Sequence, residues 1–153
     1  MRARPRYPLA APRAKRHPVG VASERAMTEV PLVVLIEDDP LVRLGQEMLL
    51  RDWGYRVVLG ASGEEIRAAL RDAPGTVAAI VTDFSVDGAE SGAEVALAIA
   101  AAAGRPIPTA VMSGSLGRTS GAAAQEHGFT FFAKPVDPEQ LRGWLTAVVS
   151  GPQ

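Results

Sequence analysis

Three consecutive acids, Glu37-Asp38-Asp39, and three separate polar residues, Asp83, Ser113 and Lys134, each follow a short, largely apolar run. Carboxylates that converge repel one another; at about 4 Å and an effective dielectric near 20, each pair costs roughly 4 kcal/mol. A hard divalent cation relieves that repulsion, and oxygen ligands with no histidine or cysteine nearby favour Mg2+. A lysine facing such a cluster can pair with a carboxylate or with an added phosphoryl oxygen. A serine hydroxyl beside it can donate to a phosphoryl group carried on Asp83. Each residue also has a plainer explanation. Asp83 can open a turn, Asp39 can cap a helix, Ser113 can belong to a turn and Lys134 can keep a strand end soluble. Capping by Asp39 leaves Glu37 and Asp38 unaccounted for, and four strand ends would have to supply complementary chemistry by accident.

The elements that must position these residues alternate strand with helix. Leu32 to Ile36 reads as a buried strand closed by the acidic triplet. Asp39-Pro40 is N-cap and first position of a helix that runs to about Trp53, where Gly54 stops it. On that helix Val42, Leu49, Leu50 and Trp53 recur at core-facing spacing, with Gln46 a polar residue on the same stripe. Leu41, Leu44 and Met48 form a second stripe, expected at the edge of the core, with a dimer surface as the alternative. Tyr55 to Leu59 is a second strand. Ser62 with Glu65, and later Ser91 with Glu94, form capping boxes that open the second and third helices. Between them lies the strand Ala78 to Asp83. Thr109 to Met112 and Phe129 to Phe132 are the last strands, separated by a glycine-diluted segment from Leu116 to about His127. Asp137-Pro138-Glu139-Gln140 opens a final helix with Leu141, Leu145, Val148 and Trp144 inward. Five strands alternating with five helices over short links predict an α/β fold, a doubly wound five-stranded parallel sheet. The carboxyl ends of its strands share one edge, which collects Glu37, Asp38, Asp39, Asp83, Ser113 and Lys134.

Composition limits the setting. The chain of 153 residues has room for one domain with a sizeable core, and it contains no cysteine, which fits a reducing cytoplasm. The longest apolar run, Val95 to Ala103, is far short of the roughly 20 residues that span a bilayer, so no membrane segment is expected. Residues 1–30 carry seven basic side chains against two acidic ones, whereas the remainder carries nine against fifteen. Residues 1–30, with four prolines before position 20, read as a disordered basic arm, and those upstream of Met27 as a candidate untranslated extension. The domain proper is read as 31–150; its acidity argues against nucleic acid as a partner.

The ordered set resembles the receiver domain of a two-component response regulator, CheY-like in fold and related to flavodoxin-like proteins. The markers are Asp38-Asp39 after the first strand, Asp83 after the third, Ser113 after the fourth and Lys134-Pro135 after the fifth, over about Pro31 to Val149. The intervals of 44, 30 and 21 positions between Asp39, Asp83, Ser113 and Lys134 fit that family. Glu37-Asp38-Asp39-Pro40-Leu41-Val42-Arg43 with Trp53-Gly54-Tyr55 is similar to receivers attached to proteobacterial hybrid sensor kinases. The resemblance implies that Asp83 accepts a phosphoryl group from a phosphohistidine on a sensor histidine kinase or histidine phosphotransfer protein. Asp38 and Asp39 would hold Mg2+ with the Asp83 carboxylate and the Ser85 backbone carbonyl. Lys134 would bind a phosphoryl oxygen beside a cis Lys134-Pro135 bond. Ser113 and the aromatic Phe131 would act as the switch pair, and the segment from Leu116 to His127 is the best candidate for the bistable element. Such a protein catalyses only its own phosphorylation and dephosphorylation and is not otherwise an enzyme.

Some residues depart from the family pattern. Phe84-Ser85-Val86-Asp87-Gly88 lacks the usual proline, Asp87 and Glu90 add negative charge, and Ser113 and Phe131 replace the commoner threonine and tyrosine. An aspartyl phosphatase of the haloacid dehalogenase type would want a second aspartate where Ser85 stands. A nucleotide-binding module would want a glycine-rich loop where the acidic triplet stands. Fewer than ten residues follow the last helix, so a stand-alone receiver is expected, with a receiver piece of a hybrid kinase or an unphosphorylated scaffold as alternatives.

Overall fold

The structure, a computed structural model, describes residues 30–150 apart from 74, 87, 89 and 115–126. Its elements are β1 (Leu32–Ile36), α1 (Pro40–Asp52), β2 (Arg56–Gly60), α2 (Gly63–Asp72), β3 (Val77–Asp83), α3 (Gly92–Ala103), β4 (Thr109–Ser113), β5 (Thr130–Ala133) and α4 (Pro138–Ser150). The strands form one parallel sheet in the order β2-β1-β3-β4-β5, as the alternating pattern predicts. Strand ends differ from the sequence reading by a residue or so, and four helices are seen among the described residues. Most of the glycine-diluted segment, and the whole basic arm apart from Val30, lie outside the described residues.

Period-two alternation divides β1 between two cores. Val33 and Leu35 pack with Leu50 of α1 and with Leu141 and Leu145 of α4. Leu32, Val34 and Ile36 pack with Ile66 of α2 and with Val95 and Ile99 of α3. A buried parallel strand therefore reads as an unbroken apolar run, and all five β1 residues are buried. The β1–β3 register shifts once, between Leu32 opposite Val77 and Val33 opposite Ala79, so Ala78 is the additional residue. That shift turns both Val77 and Ile80 toward the α2 and α3 side.

The helix ends follow their local chemistry. Ser91 and Glu94 form the reciprocal capping box that opens α3, and Gly104, at φ 70°, closes it. At α2 only half of the expected box forms. The Ser62 hydroxyl accepts from Glu65 N, but the Glu65 carboxylate accepts from Ala61 N, one residue upstream of the cap. Asp137 Oδ1 accepts from Glu139 N at the start of α4. The Trp144 indole, edge-on to Phe132, donates to Thr130 Oγ1.

The inward stripe of α1 is narrower than its periodicity suggests. Leu50 is buried and Trp53 half-buried, but Val42 and Leu49 are 39% and 37% exposed. The second stripe is not core edge at all: Leu41, Leu44 and Met48 are 80%, 53% and 64% exposed. On that face α1 lies over β1 and β2 and α4 over β3, and only one row of α1 side chains reaches the sheet. Gln46 does point inward. Its Nε2 donates to Met112 Sδ at 3.5 Å, a weak acceptor, while its Oε1 is buried with no partner among the described residues. An unsatisfied buried acceptor costs roughly 1–3 kcal/mol. Gln46→Met, which keeps the shape, is therefore expected to raise unfolding stability by about 1–2 kcal/mol in urea denaturation; an unchanged or lowered midpoint would contradict that account.

Candidate functional site

Strand register builds the site. Ile36 lies opposite Thr82 in the β1–β3 pair, so the next residues, Glu37 and Asp83, emerge side by side. Asp83 lies opposite Met112 and Ser113 opposite Ala133, which brings Ser113 and then Lys134 one step further out along the same edge. Lys134 N donates to Ser113 O at 2.8 Å, and the Lys134-Pro135 bond is cis. β1 and β3 are also the strands at which the winding direction of the sheet reverses, where open α/β sheets hold ligands.

The resulting cleft, about 420 Å³, is lined by Glu37, Asp38, Asp39, Val42, Asp83 and Lys134. Lys134 Nζ lies 3.0 Å from Asp83 Oδ2 and 3.5 Å from Glu37 Oε2. Oxygens of Glu37, Asp38 and Asp83 lie within 4.8 Å of one another. Ligands on opposite sides of Mg2+ stand about 4 Å apart, so small rotations would close this donor set on a hard divalent cation. The set is all oxygen and fits that ion.

Asp39 lines the cleft, and one of its carboxylate oxygens caps α1. Oδ1 accepts from Leu41 N at 2.9 Å and Val42 N at 3.1 Å, the bonds of a helix N-cap. Glu37, rather than Asp39, completes the close carboxylate group with Asp38 and Asp83. The capping signal at Asp39-Pro40 was readable in the sequence and points the same way. Glu37 itself is almost fully buried, 1% exposed. Its Oε1 accepts from Asp39 N, and its carbonyl accepts from Arg43 Nη1 at 2.9 Å, so α1 ties down the acidic turn from two directions. Ser113 is buried at the end of β4, Ser85 is exposed on the loop after Asp83, and Phe131 is half-buried on β5 opposite Val111; none of the three lines the cleft.

Charges in the cleft perturb one another. Desolvation by burial raises the Glu37 carboxyl above its ordinary range; the charge of Asp83 and a hydrogen bond with Asp38 add to this, against the Asp39 backbone bond and Lys134. For Lys134 the largest influence, desolvation, lowers its affinity for a proton. The hydrogen bond and charge of Asp83, with the charge of Glu37, outweigh it and hold the ammonium above its ordinary value.

Two structural residues near Asp83 carried no recognised signal in the sequence. A Cβ at Gly92 would collide with the Asp83 carbonyl and the Thr82 hydroxyl, so only glycine lets the first turn of α3 sit against the end of β3. Glu90 read as surplus negative charge, yet both of its carboxylate oxygens accept from Arg67 Nη2 of α2, at 2.7 and 2.6 Å. The partner lies 23 positions away, beyond the reach of local pattern.

Residues 33–146 match the family described as response regulator receiver domain. Among solved structures, the chain is similar to a response regulator receiver domain protein from Clostridium thermocellum, with TM-score 0.69, 16% identity, and coverage of 79% of this chain and 95% of that one. It is similar also to a response regulator receiver protein from Sinorhizobium medicae, with TM-score 0.69, 21% identity, and coverage of 80% and 97%. A response regulator receiver protein from Pseudomonas putida gives TM-score 0.65, 26% identity, and coverage of 76% and 96%. No curated protein matches the sequence.

A carboxyl whose folded-state pKa is raised contributes stability that is complete below its unfolded pKa and lost as pH rises through the folded value. Glu37→Gln is therefore expected to stabilise the metal-free protein at neutral pH by about 1–2 kcal/mol, part of the like-charge repulsion it removes. The gain should vanish as pH falls to about 4.5, the unperturbed value. Thermal midpoints measured from pH 4 to 8 with chelator present check this, and a gain constant across the range would contradict it.

Proposed function

The chain belongs to the response regulator receiver family of two-component signalling, and from that premise we propose that Asp83 accepts a phosphoryl group from a phosphohistidine. What carries the reading is the pairing of Asp83 with Lys134 at 3.0 Å inside a cleft that also holds Glu37 and Asp38. An Asp83 carboxylate oxygen attacks phosphorus, the P–O bond forms as the P–N bond breaks, and the imidazole leaves as the neutral ring after gaining a proton from solvent. Phosphoryl transfer of this kind is governed by in-line positioning and neutralisation of oxygen charge. Lys134 supplies a cation that can pass from the carboxylate to the new phosphoryl oxygen with little movement. Asp38, Asp83 and Glu37, with the Ser85 carbonyl nearby in sequence, would hold Mg2+, which would supply the remaining neutralisation of the phosphoryl oxygens.

The aspartyl phosphate would add charge and three acceptors, to which the hydroxyl of Ser113, at the end of the neighbouring strand β4, would respond. Phe131, three positions before Lys134 on β5, is the aromatic placed to move with it. The protein thus acts on itself alone, and its output is a change of shape read by a protein partner.

The donor protein is expected to dock on α1. Leu41, Leu44 and Met48 leave an apolar strip facing solvent, and Val42 of the same helix lines the cleft. Exposed apolar strips rimmed by polar residues mark protein contacts.

Incubation with acetyl phosphate and Mg2+ should add one phosphoryl mass to the wild type and none to Asp83→Asn in intact-mass spectra. Equal labelling of both, or none of the wild type, would overturn the assignment. Leu44→Glu with Met48→Glu should leave labelling by acetyl phosphate unchanged while slowing transfer from a phosphohistidine protein by about tenfold or more, as expected when central apolar contacts are lost. Equal rates from the protein donor would remove α1 from the docking surface.

A further inference from the structure

A second concavity, about 540 Å³, opens between the C-terminal halves of α2 and α3 at the start of β3, the opposite end of that strand from Asp83. Leu70, Val77 and Ile99 form its floor, and Ala98, Ala102 and Ala103 one wall. The run of alanines at the end of α3 leaves the groove unfilled, and the core reaches the surface here: Val77 and Ile99 are 9% and 7% exposed. Arg67, Arg71 and Arg105 stand round it, and no acidic residue lines it.

The three arginines differ in what they have left to offer. Arg67 Nη2 is held by Glu90, whose charge offsets that of the guanidinium, so Arg67 contributes mainly its apolar stem to the wall. Arg105 is hydrogen-bonded to the Val77 carbonyl at the floor, which fixes its position, and it forms no ion pair among the described residues. Arg71, on the last turn of α2, has neither an ion pair nor a hydrogen bond among the described residues. The volume lies in the range of small-molecule sites, which pair an apolar lining with a few directed polar groups. Planar guanidinium groups favour carboxylate, sulfonate and phosphate over other polar partners.

We propose that this groove binds a small amphipathic anion, an aliphatic or aromatic body carrying one carboxylate, sulfonate or phosphate. The body covers Leu70, Val77 and Ile99 between the two helices, and the anion pairs with Arg71 and Arg105. Binding here requires nothing of Asp83 and stands apart from the phosphoryl chemistry.

Titration of the 15N-labelled full chain with sodium octanoate tests it, with sodium acetate and 1-octanol as half-ligands. Octanoate should give saturable amide shifts centred on Thr76, Val77, Ala102 and Ala103, and each half-ligand should bind at least about tenfold more weakly. Arg71→Gln should weaken octanoate about tenfold, and Ala102→Phe, which fills the groove from an exposed position, should abolish it. Arg71→Gln is a surface change that keeps the fold, so it remains decisive if the larger side chain perturbs α3. Shifts that do not saturate, that acetate reproduces, that centre on Leu41, Leu44 and Met48, or that persist in both variants would overturn the proposal. Saturable binding of an acidic peptide with none of octanoate would overturn the small-molecule assignment.

Discussion

Repulsion among carboxylates held at the end of a parallel sheet is the constraint that shapes this molecule. β1 and β3 pair in a register that leaves Glu37 and Asp83 no room to separate, and Asp38 completes the group. Lys134 alone among the cleft-lining residues is basic, and it stands between Asp83 and Glu37 at the close of the sheet. One cation against three carboxylates leaves a net negative site. Such a site costs stability, and proteins retain that kind of cost where binding or chemistry requires it. The rest of the chain supplies the rigidity that makes the arrangement tolerable: two separate cores clamp β1 and β3 from both faces.

Much of this was legible in the sequence because the signals were local. Apolar runs closed by polar residues marked the strands of the sheet. The Ser91 and Glu94 box and the Asp137 cap marked helix starts that the structure retains. The strand ends also placed Glu37, Asp38, Asp83, Ser113 and Lys134 on one edge, because a parallel alternation admits little else. In Asp39 the cap is made through Oδ1, and the carboxylates that stand close enough to share one ion are those of Glu37, Asp38 and Asp83. Glu37, one side chain carbon longer and at the last level of the sheet, reaches Asp83 and Lys134 instead.

The failures arose where local pattern meets tertiary competition. Leu41, Leu44 and Met48 have core-like composition and helical spacing, yet the width of the sheet face decides how many rows of α1 are covered, and α4 takes its share. Glu65 has the right spacing for a reciprocal box, but the Ala61 amide lies within its reach and competes successfully. Gln46 was recognisable as an anomaly, and its anomaly is retained as an unsatisfied oxygen beneath the site.

The loop after Asp83 shows how a missing local device can be replaced by distant ones. Without a proline to limit its path, Phe84 to Glu90 is anchored at both ends by other means. Phe84 N donates to Met112 O, and Phe84 O accepts from Gly92 N, so the residue after Asp83 is pinned to β4 and to the first turn of α3. Glu90 fastens the far end to Arg67. An exposed ion pair contributes little to stability by itself, so its effect here is chiefly positional: it fixes the direction in which the loop leaves the cleft. Gly92 sets the close approach that makes the Phe84 bond attainable, since any side chain there would push α3 off the Asp83 carbonyl. The geometry of Asp83 therefore depends on β4, α2 and α3 together, and a change in any of the three has a route to the carboxylate that does not pass through the acidic cluster.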